Sequence, residues 1–453
     1  MSTVDFVSQK IPLPVKVIYF LIMVPFFIYI PISLFKTDVF LFSLDLALLI
    51  GLLFTVFNEK VNGKIFGGKA VIMIFILFYG LSVFGRLILD LLFFNIQMIL
   101  VVRNLLFGIG VFVVASAWID RQSRIDHITK IFVWGGLLTS IYGIRQLLFG
   151  FMQFELDRLA LMGSSLQEMN LLNRIRITSS FGDPLLFGFY MMICIFFYFL
   201  ARKKGIASFV TKKLHPWSLI LIFLGLLFSL TRAPLLGLFC GIFIILLIGF
   251  RLRKRSFVLV LKVLFGSILL VGGINYLVVS EVLASSDSSL FQSINNGVES
   301  VWSLTQLVFG DQEDDLNYFL INQSKDSRFN SWGLGVSYLL SNPFGAGLTN
   351  LTVFTFSIGD TGILSLGLQI GILGFLFMIL IIFLVGIYSW SDIKSIRNSN
   401  FRSEGYFFLG MWFAIIITGT ISSILDSSVI SIVVWTIAAI LLNQRRIYKN
   451  HNS

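Results

Sequence analysis

The stretch FSLTRAPLLGLFCGIF, Phe228 to Phe243, sets a single guanidinium, that of Arg232, inside an otherwise apolar run. Pro234 follows two residues later, and a proline cannot continue the hydrogen-bond ladder of a helix already under way. The stretch therefore reads as the end of one apolar helix, a tight turn and the start of another. Runs of ~20 apolar residues, enough at ~1.5 Å per residue to cross ~30 Å of hydrocarbon, recur on both sides of it along nearly the whole chain. Of the 453 residues, 57% are hydrophobic and only 13% charged, and the mean hydropathy is +0.92. That balance excludes an ordinary soluble protein and predicts an all-α polytopic membrane protein, a single integral membrane domain over 1–453.

About twelve transmembrane helices are expected, at roughly 15–35, 38–57, 70–92, 96–118, 131–150, 180–201, 217–231, 234–250, 256–279, 359–389, 405–424 and 427–443. The first run has prolines in and before it and no small-residue cleavage site after it, so it is expected to be retained. With a cytoplasmic N-terminus, alternate connections (58–69, 119–130, 202–214, 251–255, 391–404) and the two tails hold 23 of the 34 lysines and arginines. The positive-inside rule then predicts both termini in the cytoplasm. It also accounts for the net charge of +11. Basic residues spread over short loops, without an aromatic-interleaved patch, exclude nucleic acid as the partner. Cys194 and Cys240 lie inside apolar runs and form no metal or disulfide pattern.

This orientation leaves two long segments outside, 151–179 and 280–358, the second between helices 9 and 10 and expected to carry interfacial helices. Its acidic run, Asp311 to Asp315, is contiguous rather than spaced to converge on a cation, so it reads as a solvated loop. Charges inside the spans gather at the outer level: Arg86 and Asp90, Arg103, Arg145, Arg232, Asp183 and Asp426, with Arg174 and Arg176 just before the sixth span. Intramembrane charges are costly and tend to face a partner or a watery cavity. A guanidinium-rich cavity would suit phosphate, so an anionic, membrane-borne substrate is expected. Ordinary alternatives stand beside this: Arg86 and Asp90, spaced i,i+4, can neutralise each other, and Arg103 and Arg145 can snorkel to the headgroups. Arg232 is harder to explain that way, because a helix broken at membrane depth is tolerated mainly where it lines a cavity.

Four stretches together, RIRITSSFGDPLLFGFYM (Arg174–Met191), SLTRAPLLGL (Ser229–Leu238), SRFNSWGLGVSYLLSNPFGAGLTN (Ser327–Asn350) and GDTGILSLGLQIGILGF (Gly359–Phe375), resemble in order and spacing the O-antigen ligase and polymerase superfamily. The resemblance implies a GT-C-like membrane glycosyltransferase architecture at the outer face of the bacterial inner membrane. It further implies a polyprenyl-diphosphate-linked oligosaccharide as substrate, with no cofactor, nucleotide sugar or metal. Arginines matching Arg176, Arg232 and Arg328 are those associated with the diphosphate or its sugar, and Arg174 is a neighbouring alternative to Arg176. Where the ligase branch has a His-Asn pair, this chain has Asp360 and Thr361. Its histidines, His127, His215 and His451, are all expected on the cytoplasmic side, which favours the polymerase branch over the ligase. Gly359, Gly362, Gly367 and Gly371 are then expected to be close-packing positions.

The expected chemistry is attack by a sugar hydroxyl of one lipid-linked repeat unit on the anomeric carbon of another glycan, with polyprenyl diphosphate leaving. Arg232, Arg328 and Arg176 would stabilise the departing charge. Asp360, or alternatively Asp183, would take the hydroxyl proton, although either can instead be a helix cap. Arg86, Arg103 and Arg145 are the further substrate-binding candidates. Membrane lipid, a flippase and a chain-length regulator are the expected partners. A flippase reading remains alongside, but it would place charges near the midplane and give two pseudo-symmetric halves.

Overall fold

The computed structural model describes residues 11–27, 37–58, 70–90, 96–152, 154–156, 170–171, 174–175, 177–205, 216–250, 335–347, 363–421 and 427–452. Among these are eleven long helices: α1 (Leu13–Phe27), α2 (Thr37–Val56), α3 (Ala70–Asp90), α4 (Ile96–Trp118), α5 (Gln122–Phe149), α6 (Pro184–Lys204), α7 (Pro216–Phe228), α8 (Arg232–Phe250), α9 (Ile363–Ser395), α10 (Ser399–Ile421) and α11 (Ser428–Asn452). A two-residue antiparallel pair, β1 (Asn170–Leu171) with β2 (Arg174–Ile175), and a 3₁₀ turn at Ser179–Phe181 precede α6. Seven helices are long and apolar enough to cross a membrane, and four shorter apolar ones accompany them. The chain is an all-α polytopic membrane protein. The span expected at 256–279 lies outside the described residues, as does the segment 280–358 apart from 335–347.

Boundaries move where polar residues hid a helical pattern. The segment 119–130, expected as a loop, is helical from Gln122, because Ile125, Ile128 and Thr129 recur on one face and are buried. α11 continues beyond 443 to Asn452, with Gln444 and Ile447 buried and its polar side chains reaching α4. α6 starts at Pro184 rather than near 180: Asp183 caps it, its Oδ1 accepting from the Leu185 N–H at 2.6 Å, and proline is at ease in a first turn.

α6 and α11 are the most buried of the seven long apolar helices. Phe187, Phe189, Phe196 and Phe197 are buried, and Phe197 stacks on Phe132 of α5 with ring centroids 4.3 Å apart. Cys194 belongs to this core. Since lipid tails are as apolar as leucine, close backbone approach rather than the hydrophobic effect drives such helices together. At the crossing of α8 and α10, a Cβ on Gly241 would meet the Gly410 carbonyl oxygen at 2.7 Å, and one on Gly237 would meet that of Ala414 at 2.8 Å. α3 packs on α9, with Phe78 stacked on Phe377 at 5.5 Å, and its other face is bare: Leu77 and Ile88 are 62% and 65% exposed, as suits contact with lipid.

The bundle has two unlike ends. At one, Lys204 pairs with Asp126 at 3.0 Å and Glu404 at 2.9 Å, and Asp120 takes Arg124 at 2.6 Å and Arg446 at 3.2 Å. The start of α5, the end of α6, the start of α10 and the end of α11 thus meet there, and His127 and His451 lie on these same helix ends. The other end carries the turns and breaks that follow.

Candidate functional site

The α7–α8 turn is built by two hydroxyls. Ser229 Oγ donates to the Leu226 carbonyl at 2.6 Å, and it shares a 2.7 Å hydrogen bond with Thr231 Oγ1. Both side chains are buried against Gly188 of α6, where any Cβ would collide with them. Leu230 between them is held at φ 52°, a left-handed conformation that a leucine avoids at a cost of about 1–3 kcal/mol. This rigid corner leaves Arg232 exposed as the first residue of α8. The first turn of α8 holds no acidic residue. A guanidinium therefore adds to, rather than offsets, the positive end of the helix dipole, and the two together favour an anion.

Beside this corner runs the segment before α6. The Ile177 N–H donates to the Phe228 carbonyl at 3.3 Å. Gln146, buried near the end of α5, holds the next two residues: its Oε1 accepts from the Thr178 and Ser179 amides at 3.2 and 2.7 Å, and its Nε2 donates to the Ser179 carbonyl at 3.2 Å. Ser179 lies at φ 51° and donates from Oγ to the Thr139 carbonyl at 2.6 Å. Glu155, 3% exposed, anchors Gln146 in turn. It accepts from Gln146 Nε2 at 2.8 Å, the Tyr142 hydroxyl at 2.6 Å, the Met152 amide at 2.6 Å and the Arg145 guanidinium. Burial pushes the Glu155 carboxyl up, but hydrogen bonds from Tyr142, Gln146, Met152 and Arg145 outweigh it and hold the group below its ordinary value.

At the same end, α9 is broken. Gly371 sits at φ 82°, ψ 174°, a conformation open to glycine almost alone. The break separates the Leu368 carbonyl from the Ile372 N–H, a pair that an unbroken helix would join. The turn at 342–347 occupies the gap: the Ala346 N–H donates to the Leu368 carbonyl at 2.7 Å, and the Pro343 carbonyl accepts from the Ile372 N–H at 2.8 Å. From α3, Arg86 grips Asp90 with Nε at 3.0 Å and Nη2 at 2.8 Å, and donates from Nη1 to the Phe344 carbonyl at 2.8 Å. Gly371 is thus a break as well as the close-packing position expected of it, since a Cβ there would stand 2.7 Å from the Pro343 carbonyl oxygen; Gly359 and Gly362 lie outside the described residues. Gly367 packs closely too, its virtual Cβ 3.0 Å from Leu339.

The sequence-derived candidates distribute unevenly. Arg232, Asp183 and the Gln146–Glu155 brace adjoin one another through the 177–183 segment. Arg86 belongs to the α9 break, and Arg103 pairs with Asp45 of α2 at 2.6 Å. Arg145 pairs with Glu155 and also reaches the Gly150 carbonyl at 3.2 Å. Arg86, Arg103 and Arg145 are thus each engaged by a carboxylate of the chain. Asp183 acts as the α6 cap. Of Arg174 only the backbone is described, paired with Leu171. Arg176, Arg328, Asp360 and Asp426 lie outside the described residues. Gln146, Glu155 and Asp45 escaped sequence reading; the signal for Glu155 was a carboxylate ten residues past Arg145, just beyond the end of the same apolar run. Compared with known proteins, the chain matches no family model and no curated protein.

Proposed function

We propose that the protein is a membrane glycosyltransferase that polymerises lipid-linked oligosaccharide repeat units for O-antigen, capsule or exopolysaccharide, with its site on the outer face of a bacterial inner membrane and both termini in the cytoplasm. The observation that carries this reading is Arg232: an exposed guanidinium at a helix N-terminus, on a corner locked by Ser229 and Thr231. In the reaction, an acceptor hydroxyl oxygen bonds to the anomeric carbon of the donor glycan while that carbon's bond to polyprenyl diphosphate breaks. The hydroxyl proton passes to a carboxylate, for which Asp360 is the candidate once Asp183 is engaged as a cap. Negative charge grows on the departing diphosphate, and Arg232, with Arg176 and Arg328, stabilises it more in the transition state than in the bound substrate. The twelve-span, GT-C-like architecture belongs to the same reading, as do a flippase that supplies substrate and a chain-length regulator.

The test is reconstitution of the purified protein with polyprenyl-diphosphate-linked repeat units. A ladder of longer chains is expected. Arg232→Ala should lose about 10²- to 10³-fold in extension at equal abundance, the loss typical of removing a preorganised donor. Arg232→Lys should rescue poorly, because a point charge does not reproduce a planar fork. Translocation without extension, or normal extension by Arg232→Ala, overturns the reading.

A further inference from the structure

The sequence offers Arg86 as a substrate ligand, but its surroundings assign it other work. Three of its donors are committed: two to Asp90 in a bidentate grip, one to the Phe344 carbonyl, with the Gly345 carbonyl a further 3.5 Å contact. The turn it holds is fitted to it. Gly347 lies at φ 107°, and a Cβ there would stand 2.7 Å from Arg86 Nη2 and 3.2 Å from Asp90 Oδ2. The same turn supplies both backbone partners that the break in α9 removes. In hydrocarbon, irregular backbone persists only where such freed groups are satisfied again. The broken portion, 363–371, shares its end of the bundle with the Arg232 corner: Ile363 and Leu366 line a pocket with Ile415 and Gly419 of α10, and Thr418 Oγ1 contacts the Ala233 carbonyl at 3.4 Å.

We propose that Arg86, held by Asp90, is a positioning residue that fastens the turn at 342–347 into the break of α9 and so fixes the course of the first two turns of α9. The turn acts as a splice. With it seated, Leu368 and Ile372 are satisfied by the turn; with it withdrawn, α9 can recover its own hydrogen bond only by straightening, which redirects residues 363–371. Asp90 contributes by neutralising Arg86 and aiming its remaining donor, which a guanidinium does in a fixed planar geometry.

The test is run on full-length protein in membranes, with Cys194 and Cys240 replaced by alanine and an impermeant maleimide as probe. Ala346, 8% exposed, is changed to cysteine as the reporter, and exposed Ser341 is changed to cysteine as the control. Ser341→Cys should label in every background. Ala346→Cys should be protected when Arg86 is present, and should label at least tenfold faster with Arg86→Gln. Arg86→Lys should fall between, since an ammonium can serve the carbonyl but not the bidentate grip. Gly347→Ala attacks the same contact from the turn and should also expose position 346, which covers the case in which Arg86→Gln fails to insert. Continued protection of position 346 in Arg86→Gln, or in Gly347→Ala where the former does not insert, overturns the splice. The kinetic half rests on the glycan-transfer reading: Arg86→Gln should lower kcat with KM for the lipid-linked donor nearly unchanged, whereas a raised KM at unchanged kcat would make Arg86 a ligand. Labelling needs no enzymatic activity, so failure of the glycan-transfer reading and failure of the splice are read separately.

Discussion

The α7–α8 corner and the α9 break both take backbone out of helix at the same end of the bundle, and they are held by opposite means. At the corner, side chains do the holding: Ser229 and Thr231 bond to each other, and Gln146 grips the neighbouring Thr178 and Ser179 amides with Glu155 behind it. At the break, backbone answers backbone, and the residues required are glycines that let one strand of chain lie against another. Arg86, held by Asp90, clamps that turn from α3. The corner should therefore fail when a hydrogen-bonding group is removed, and the break also when an atom is added.

The largest effect is expected at Glu155. Glu155→Leu strips the partner from Arg145, Tyr142, Gln146 and the Met152 amide, and breaking a buried ion pair by removing one member typically costs about 3–5 kcal/mol. A clear fall in the thermal midpoint of the detergent-solubilised protein is the measurement; Glu155→Gln should fall less, because one carbonyl remains to accept. Next comes Gly371→Ala, where the backbone conformation alone costs about 1–3 kcal/mol and the new Cβ would lie 2.7 Å from the Pro343 carbonyl oxygen. The same thermal assay should register it, and a silent Gly371→Ala would erase the contrast between the two regions. Ser229→Ala removes only the group joining Thr231 to the Leu226 carbonyl, worth about 1 kcal/mol. The last effect in the series is that of acid. The folded carboxyl of Glu155 is held below its unfolded value, so its contribution is complete above ~4.3 and is lost as pH falls through the folded value. Stability measured across pH 3 to 6 should therefore drop at the acid end in the parent protein, and that drop should be shallower in Glu155→Gln.

The apolar runs made the helices legible, because in a bilayer the length and hydropathy of a run already imply a span. What the sequence hid was pairing over long separations. Arg103 and Asp45 lie on helices α4 and α2, and no local spacing joins them, so Arg103 looked like a cavity or headgroup residue. Arg86 and Asp90, one turn apart, were legible as a pair, but the Phe344 carbonyl that completes their site lies 258 residues away. Gly371 follows Gly359, Gly362 and Gly367, and small residues on a membrane helix ordinarily mean close packing. Close packing is found there, and only the bonds at Leu368 and Ile372 reveal that the helix also breaks. The helical start of α5 was masked by Arg124, Asp126 and Lys130, whose charges suit a loop as well as the polar face of a helix end.

The end of α11 carries a consequence for biosynthesis. Asn443 donates to the Ser116 and Ile119 carbonyls of the α4 terminus at 2.8 and 2.9 Å, and Arg446 reaches the Ala117 carbonyl at 3.3 Å. Those carbonyls are the unpaired acceptors that every helix leaves at its C-terminal end. A helix made early is thus finished by the last described helix to leave the ribosome, which also packs on α1, α5, α9 and α10. Until α11 arrives, the end of α4 lacks these partners. Interrupting translation before Asn443 should accordingly leave the α4 terminus uncapped, a defect open to the quality-control proteases of its membrane.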